Sequence, residues 1–226
     1  MSRPLSPPDR VNANQHSSLY QRGGKRILNL VLVVASLPFF LPLSIVVALV
    51  LRLRVGPPVL FTQERLGLNG CPFWIWKFRT MTDARDDNGN LLPDSERLTR
   101  TGRFLRTTSL DELPELINVV RGEMSLVGPR PLHSRYRGRY TPEQFRRHEV
   151  LPGITGWAQV NGRNALSWED KFALDVWYVD HHSFWLDLKI IALTIVKLVR
   201  REGISQPGQA TAEEFRGSLR EGVRTE

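Results

Sequence analysis

Hydrophobic positions follow two patterns along this chain. Residues 27–51 form one long apolar run without a charged side chain, which has the length and composition of a membrane segment. Beyond this run, shorter apolar stretches alternate with polar turns. Aromatic and β-branched residues at 59–62 and 73–78 flank the turn sequence GLNG at 67–70, which predicts a β-hairpin. The two patterns predict a membrane element followed by a folded domain.

The apolar run contains Pro38 and Pro42 near its middle. Pro38 has no amide to donate to the carbonyl of Val34, which predicts a kink. Each half is then about 15–20 Å long and falls short of a hydrocarbon core of about 30 Å. Basic residues stand on both sides of the run, at positions 22, 25, 26, 52 and 54, so the positive-inside rule gives no orientation. A re-entrant helix with both ends on the cytoplasmic face is favoured, and a straight spanning helix is the alternative.

Local signals divide the rest of the chain. A capping box of Ser109 and Glu112 predicts a helix that begins at Leu110 and ends near Gly122. Residues 141–144 predict a second capped start, residues 82–99 a surface loop, and residues 167–180 a further helix. Residues 184–201 carry charges but many apolar side chains, which fits an interfacial or core-packed helix. The fold class predicted is α+β, mainly helical, with a re-entrant N-terminal membrane helix, a small β-hairpin and interfacial amphipathic helices around a compact domain.

The same signals set the expected boundaries. Residues 1–26 are predicted to form a flexible basic arm, residues 27–51 the re-entrant membrane helix, residues 52–203 the folded domain and residues 204–226 a polar tail without a site. A total of 31 Lys and Arg against 23 Asp and Glu gives a net charge of +8. This balance favours an anionic partner, which is a nucleic acid, a phospholipid surface or a phosphorylated substrate. The single cysteine excludes an intrachain disulfide.

Asp111 and Glu112 are the candidate chemistry of this sequence, because the predicted helix start would place both carboxylates at a positive helix end. That position should keep Asp111 anionic and available as a nucleophile. Arg106 and Arg130 lie near the pair in sequence, the latter in the rigid turn GPRP at 128–131, and guanidinium groups bind phosphate oxygens. Other loops contribute basic residues at 77, 79 and 163. Ordinary helix capping with surface arginines is the alternative.

Residues 152–164 combine glycines with Trp157, Asn161 and Arg163, a composition that suits a loop wrapped around a polar ligand or a plain structural loop. The chain contains no GxxxxGK, GxGxxG or HExxH pattern. Nucleotide hydrolysis by a P-loop, dinucleotide redox chemistry and zinc hydrolysis therefore have no anchoring motif.

Four stretches, in this order, resemble the bacterial sugar transferases, the monotopic phosphoglycosyl transferases. They are KFRTM at 77–81, SLDELP at 109–114, LVGPRP at 126–131 and PGITGWAQVNGRN at 152–164. The resemblance covers about residues 20–210, and the length is similar to that of the minimal catalytic type. The membrane element of the family breaks at a Ser-Pro pair, whereas this sequence has Ser36-Leu37-Pro38 and a second proline at 42, so the break position is open.

The resemblance implies transfer of a sugar 1-phosphate from a UDP-sugar to undecaprenyl phosphate, with release of UMP, as the first membrane step of glycan biosynthesis. It implies Asp111 as the nucleophile, Glu112 as its partner, and both as ligands of Mg²⁺. Further substrate- or phosphate-binding residues are expected at Arg106, Arg130, Arg163, Lys77, Arg79, Pro129, Pro131 and Asn161. The expected location is the bacterial inner membrane, with residues 52–203 as a catalytic domain on the cytoplasmic face in contact with membrane lipids.

Two other classes of function are consistent with parts of the sequence. A membrane-tethered nucleic-acid binder needs clustered basic residues with aromatics, and the arginines here are dispersed next to carboxylates, so no nucleic-acid partner is expected. A non-catalytic membrane scaffold of a polysaccharide assembly complex is the alternative to the enzyme. The sequence selects no particular UDP-sugar, and a homodimer is left open.

Overall fold

The computed structural model describes residues 20–162, 166–200 and 214–217. A π-helical turn, Tyr20–Gly24, precedes the first long helix. The helices are α1 (Lys25–Arg54), α2 (Asp94–Arg97), α3 (Arg100–Thr108), α4 (Glu115–Arg121), α5 (Pro142–Phe145), α6 (Trp157–Asn161), α7 (Trp168–His181) and α8 (Phe184–Arg200). The strands are β1 (Leu60–Leu66), β2 (Pro72–Phe78), β3 (Ser125–Val127) and β4 (Gly153–Thr155). Short 3₁₀ turns cover Leu68–Gly70, Leu110–Glu112, Ser134–Arg139 and Arg146–His148.

The strands form two small sheets. β1 and β2 pair antiparallel, from Leu60 opposite Phe78 to Leu66 opposite Pro72, which confirms the predicted hairpin. β3 and β4 pair in parallel, far apart in sequence. Gly128, directly after β3, lies so close to β4 that an added Cβ would be 2.3 Å from the carbonyl oxygen of Leu151. The mainly helical α+β class is confirmed.

Helix α1 contacts the domain near both of its ends. Val33 packs in a core with Phe73 and Val119, and the second half packs through Val47 and Leu51 in another core. That second core joins α1 to β2 and α3. Between the two contacts, residues 37–42 are all exposed. The helix is continuous through both prolines, and it is the one helix in the described part of the chain that is long and apolar enough to cross a membrane.

Buried polar contacts fix the first turns of α1. Lys25 Nζ lies 2.5 Å from an Asp187 carboxylate oxygen, and the hydroxyl of Tyr178 donates to the other oxygen of that carboxylate at 2.6 Å. One turn further on, Asn29 donates to the hydroxyl of Ser125 at 3.0 Å. These contacts attach the start of α1 to α7, α8 and β3.

Helix α8 is core-packed on one face. Ile190 and Asp187 are buried, while Trp185, Ile195 and Val196 are exposed. The core beneath it also contains Val127 of β3, Val160 of α6 and Tyr178 of α7 (these three with Ile190 form one cluster). One face of α8 is therefore packed in the core, and the interfacial alternative for its exposed face stays a prediction.

The C-terminal tail was predicted to be polar and without a site, and within it residues 214–217 contribute a buried aromatic side chain. Phe215 is 1% exposed and packs in a cluster with Tyr136 and Phe172. Its amide donates to the Tyr136 hydroxyl, and its carbonyl accepts from Arg139. A single aromatic residue in a polar stretch gives little signal, because its pocket is built by residues from two other parts of the chain, within 132–140 and 168–172.

Candidate active site

The backbone around Asp111 does not form the predicted capping box. Helix α3 ends at Thr108, and Ser109 is its C-terminal cap, in the left-handed region with φ 56°. The Ser109 side chain makes no capping hydrogen bond to the turn that follows. Leu110–Glu112 form a 3₁₀ turn, and α4 begins only after Pro114, then ends at Arg121 before left-handed Gly122 as predicted. The prediction of a helix start at Ser109 was therefore wrong, because Ser109 marks the end of α3 and the next α-helix, α4, begins only at Glu115.

Two cations hold Glu112. Lys77 Nζ, from β2, lies 2.8 Å from Glu112 Oε1, and Arg130 Nη2 lies 2.5 Å from the same oxygen. The positive charges of Arg130 and Lys77 outweigh the effect of burial, so the pKa of Glu112 lies well below its usual range. Glu112 is thus a fixed anion that forms ion pairs with Lys77 of β2 and with Arg130 of the 128–131 turn.

Asp111 has the opposite electrostatic character. Its side chain is 9% exposed, and burial together with the negative charge of Glu112 raises the pKa of Asp111 to about 6. The charges of Lys77, Arg130 and Arg106 act in the other direction but are weaker. The expectation that a helix start lowers this pKa was wrong, because no α-helix begins at Ser109. At neutral pH Asp111 is still mainly anionic, in a site that excludes most water.

Glu115 belongs to this cluster and was missed by the sequence reasoning. Its carboxylate lies 3.0 Å from Lys77 Nζ and is 2% exposed. Burial is the largest cause that raises the pKa of Glu115 to about 7. An acidic residue in the first turn of a helix is so common that its sequence position alone carries no functional signal.

The backbone of the 128–131 turn is held from several sides. The Gly128 amide donates to Thr155 O at 2.8 Å, and the Gly153 amide donates to Pro129 O at 3.0 Å. Arg147 donates to the carbonyl of Arg130 at 2.7 Å while it forms a buried ion pair with an aspartate of α7, Asp175. The backbone of Arg130 is thereby fixed, and 46% of its side chain remains exposed beside Glu112.

The structure brings together Asp111, Glu112, Lys77, Arg130 and Arg106, of which the last donates from Nε to Thr80 Oγ1 at 3.0 Å.

Other predicted site residues make different contacts or are not described. Arg79 forms an ion pair with Asp83 at 2.5 Å and donates to the Met81 carbonyl, so it supports the neighbouring loop. Asn161 donates to the Trp157 carbonyl of its own helix at 2.8 Å. Pro131 contributes a carbonyl that accepts from Arg65, a residue the sequence did not single out. Arg163 lies outside the described residues. Residues 152–164 were predicted to form one loop, and this prediction was wrong because the segment contains β4 and α6.

The comparisons with known proteins agree with the site motifs. Residues 20–201 match the family model described as bacterial sugar transferase. The uncharacterized sugar transferase EpsL of Bacillus subtilis is 63% identical over 169 residues, which are 75% of this chain and 84% of that protein.

Two further relatives carry more specific names. The UDP-glucose:undecaprenyl-phosphate glucose-1-phosphate transferase of Caulobacter vibrioides is 41% identical over 77% of this chain and 69% of its own length. The UDP-N-acetylgalactosamine-undecaprenyl-phosphate N-acetylgalactosaminephosphotransferase of Aeromonas hydrophila is 37% identical over 76% of this chain and 42% of its own length. This chain belongs to the bacterial sugar transferase family, whose members are phosphoglycosyl transferase enzymes.

Proposed function

We propose that this protein transfers a sugar 1-phosphate from a UDP-sugar to undecaprenyl phosphate and releases UMP, by way of a covalent intermediate on Asp111. The observation that carries the proposal is the pairing of a water-poor carboxylate, Asp111, with a neighbouring carboxylate, Glu112, that is neutralised by Lys77 and Arg130. Relatives in the same family are named for transfers of this kind.

The reaction has two displacements at one phosphorus atom. A carboxylate oxygen of Asp111 attacks the β-phosphorus of the UDP-sugar, and the bond from that phosphorus to the oxygen bridging the two phosphates breaks, so that UMP leaves. An oxygen of undecaprenyl phosphate then attacks the same phosphorus. The acyl phosphate bond to Asp111 breaks, which regenerates the carboxylate and yields the lipid-linked sugar diphosphate.

The cations around Asp111 answer the main electrostatic difficulty of this reaction. A carboxylate and a diphosphate repel each other unless positive charge lies next to both. Arg130 is half-exposed beside Glu112 and can face the phosphates. Arg106, on α3, contributes a second positive charge that acts on Asp111. Lys77 holds Glu112 rather than the substrate, because it is already engaged with two carboxylates. It is a positioning residue in this proposal.

Mg²⁺ is part of the proposal, and the donor set suits it. Among the described residues there is no group of three or more His, Cys, Asp or Glu that could hold a metal ion by itself. Mg²⁺, however, is usually held by one or two carboxylates together with substrate phosphates. Asp111 forms no ion pair with a side chain of the described residues, and Glu112 uses Oε1 for both cations, so carboxylate oxygens are available. When bound, the ion would neutralise charge on the diphosphate.

The membrane part of the proposal is a re-entrant α1 with the domain on the cytoplasmic face of the inner membrane. Support comes from contacts of both halves of α1 with the same domain, through Val33 and through Val47. The segment between them in which every residue is exposed, 37–42, is about 9 Å long at the usual helical rise, far short of a hydrocarbon core of about 30 Å. Labelling of single cysteines at positions 20 and 56 in intact cells tests this topology, and labelling from opposite sides would contradict it.

UMP release tests the reaction directly. Purified protein, undecaprenyl phosphate and Mg²⁺ are incubated with each member of a UDP-sugar panel, and we expect UMP from at least one sugar. Asp111→Asn should release none, whereas Asp87→Asn, on the exposed 82–99 loop, should keep full activity. A wild-type protein that releases no UMP from any sugar would favour the scaffold function, and unchanged turnover by Asp111→Asn would contradict the covalent intermediate.

A further inference from the structure

Arg65 is attached to the same turn that carries Arg130. At the end of β1, the Leu66 amide donates to the Leu132 carbonyl at 3.0 Å, and Arg65 forms an isolated antiparallel bridge with His133. The hairpin therefore continues its pairing onto the segment that leaves the 128–131 turn. This pairing places the Arg65 side chain beside the turn, where one Nη atom lies 3.5 Å from the Pro131 carbonyl oxygen.

The positive charge of Arg65 has no carboxylate partner among the described residues. Its second Nη donates to the neutral Gln63 amide at 2.6 Å, and its buried Nε has no hydrogen-bond partner. Burial, together with the positive charges of Arg130 and Arg135, lowers the pKa of Arg65, and the charge of Glu115 acts in the other direction. Lys77 and Arg130, by contrast, are each paired with a carboxylate.

Arg65 therefore adds a positive charge without an ion-pair partner beside the turn that carries Arg130. Like charges in a partly buried site repel each other, and an anion that both can reach removes the repulsion. A guanidinium presents a planar fork of donors that matches the oxygens of a phosphate. Arg130 is half-exposed, so its remaining donors are open to such a ligand.

We propose that Arg65 and Arg130 together form a phosphate-binding pair at the 128–131 turn, with Arg65 as a substrate-binding residue. This inference rests on the proposed function and extends it to a residue of β1. The phosphate has two sources in that reaction, the nucleotide diphosphate and the lipid phosphate. Because the charge of Arg130 acts on Asp111, the pair can serve either of them, and the experiment below separates the two.

The test compares Arg65→Gln and Arg65→Lys with wild type. Arg85→Gln is the matched control, because Arg85 also has no ion pair among the described residues but lies on the exposed 82–99 loop. In a two-displacement reaction, kcat/KM for each substrate reports its own half of the reaction. Loss of one charge-assisted phosphate contact should lower kcat/KM by about 10- to 100-fold. Arg65→Lys should recover part of this loss, because it keeps the charge but not the fork.

The pattern of the loss identifies the source. A loss confined to the UDP-sugar assigns the nucleotide phosphates, a loss confined to undecaprenyl phosphate assigns the lipid, and a loss for both assigns a position shared by the two steps. Unchanged values for both substrates would overturn the proposal. So would equal losses accompanied by a lower melting temperature without ligand, because that result indicates only that Arg65 holds the hairpin against the turn.

A binding measurement separates this inference from the proposed reaction. Inorganic pyrophosphate and UMP should raise the melting temperature of wild type and of Arg85→Gln, and should raise that of Arg65→Gln much less. If wild type released no UMP from any UDP-sugar but kept this Arg65-dependent protection, the reaction would be wrong and the phosphate-binding pair would stand. Equal protection of Arg65→Gln and wild type would overturn the pair.

Discussion

Replacement of Asp111 by Asn should stabilise the protein while it abolishes catalysis. Burial and the charge of Glu112 raise the pKa of Asp111 from 3.8 to about 6 in the folded state. The folded protein therefore disfavours the ionised form relative to the unfolded chain. The cost is absent below the unfolded pKa, grows as the pH rises toward 6, and is complete above it. Asn has nearly the same shape as Asp but cannot ionise.

The expected size follows from the same two pKa values. A rise from 3.8 to about 6 corresponds to a cost of about 3 kcal/mol at pH 8. For a chain of this length, 1 kcal/mol shifts the melting temperature by about 2–4 °C, so Asp111→Asn should melt about 6–12 °C above wild type at pH 8. At pH 4 Asp111 is protonated in the folded wild type, and the difference should nearly vanish.

The assay is thermal unfolding in detergent at a series of pH values from 4 to 8. Asp87→Asn, on the exposed loop, is the control and should follow wild type throughout. Two results would contradict this prediction: Asp111→Asn melts at or below the wild-type temperature at pH 8, or its advantage in melting temperature is the same at pH 4. Either result would mean that burial does not penalise the Asp111 charge.

Three further predictions concern pH and packing. The kcat/KM for the UDP-sugar should fall about tenfold per pH unit below about pH 6, because a protonated Asp111 cannot attack. UMP release from pH 5 to 8 measures this dependence, and a kcat/KM that begins to fall only near pH 4 would contradict it. Phe215→Ala should cost about 3–5 kcal/mol in unfolding experiments, since the ring is buried among aromatic side chains, whereas Leu91→Ala on the surface should cost little. Lys25→Met should cost about 3–5 kcal/mol by leaving the buried Asp187 charge without its ion-pair partner, and a second change of Asp187→Leu should restore most of the loss; an additive double variant would show that the pair is not coupled.

The parts of the fold that the sequence predicts are those set by local interactions. The β1–β2 hairpin depends on strand formers on either side of a glycine-asparagine turn, and the capped start at Thr141 depends on residues three positions apart. Both signals act within a few residues. The end of α4 at Gly122 also depends on a local signal, because a glycine in the left-handed conformation terminates a helix whatever surrounds that helix in the domain.

The errors fall where a local pattern has more than one use. The four residues from Ser109 to Glu112 fit a capping box, but α3 immediately before them takes Ser109 as its own C-terminal cap. Pro114 then delays the next helix. A motif that stands between two helices cannot reveal from its own residues which helix it serves.

The site shows the same division. Asp111, Glu112 and Arg130 were predicted from their motifs, and the structure brings them together. Arg65 and Glu115 were not predicted, because one reaches the site through pairing of β1 with the 128–131 segment and the other through Lys77. Such contacts between distant parts of the chain leave no regular spacing in the sequence.

In the proposed reaction Asp111 becomes covalently attached to the phosphosugar. The most direct measurement is mass spectrometry of the protein after incubation with an active UDP-sugar and Mg²⁺ in the absence of undecaprenyl phosphate, followed by peptide mapping. We expect one added sugar phosphate on the peptide that contains Asp111, which disappears when undecaprenyl phosphate is supplied and is absent from Asp111→Asn. An adduct on another residue, or full turnover without any adduct on Asp111, would contradict the proposed reaction.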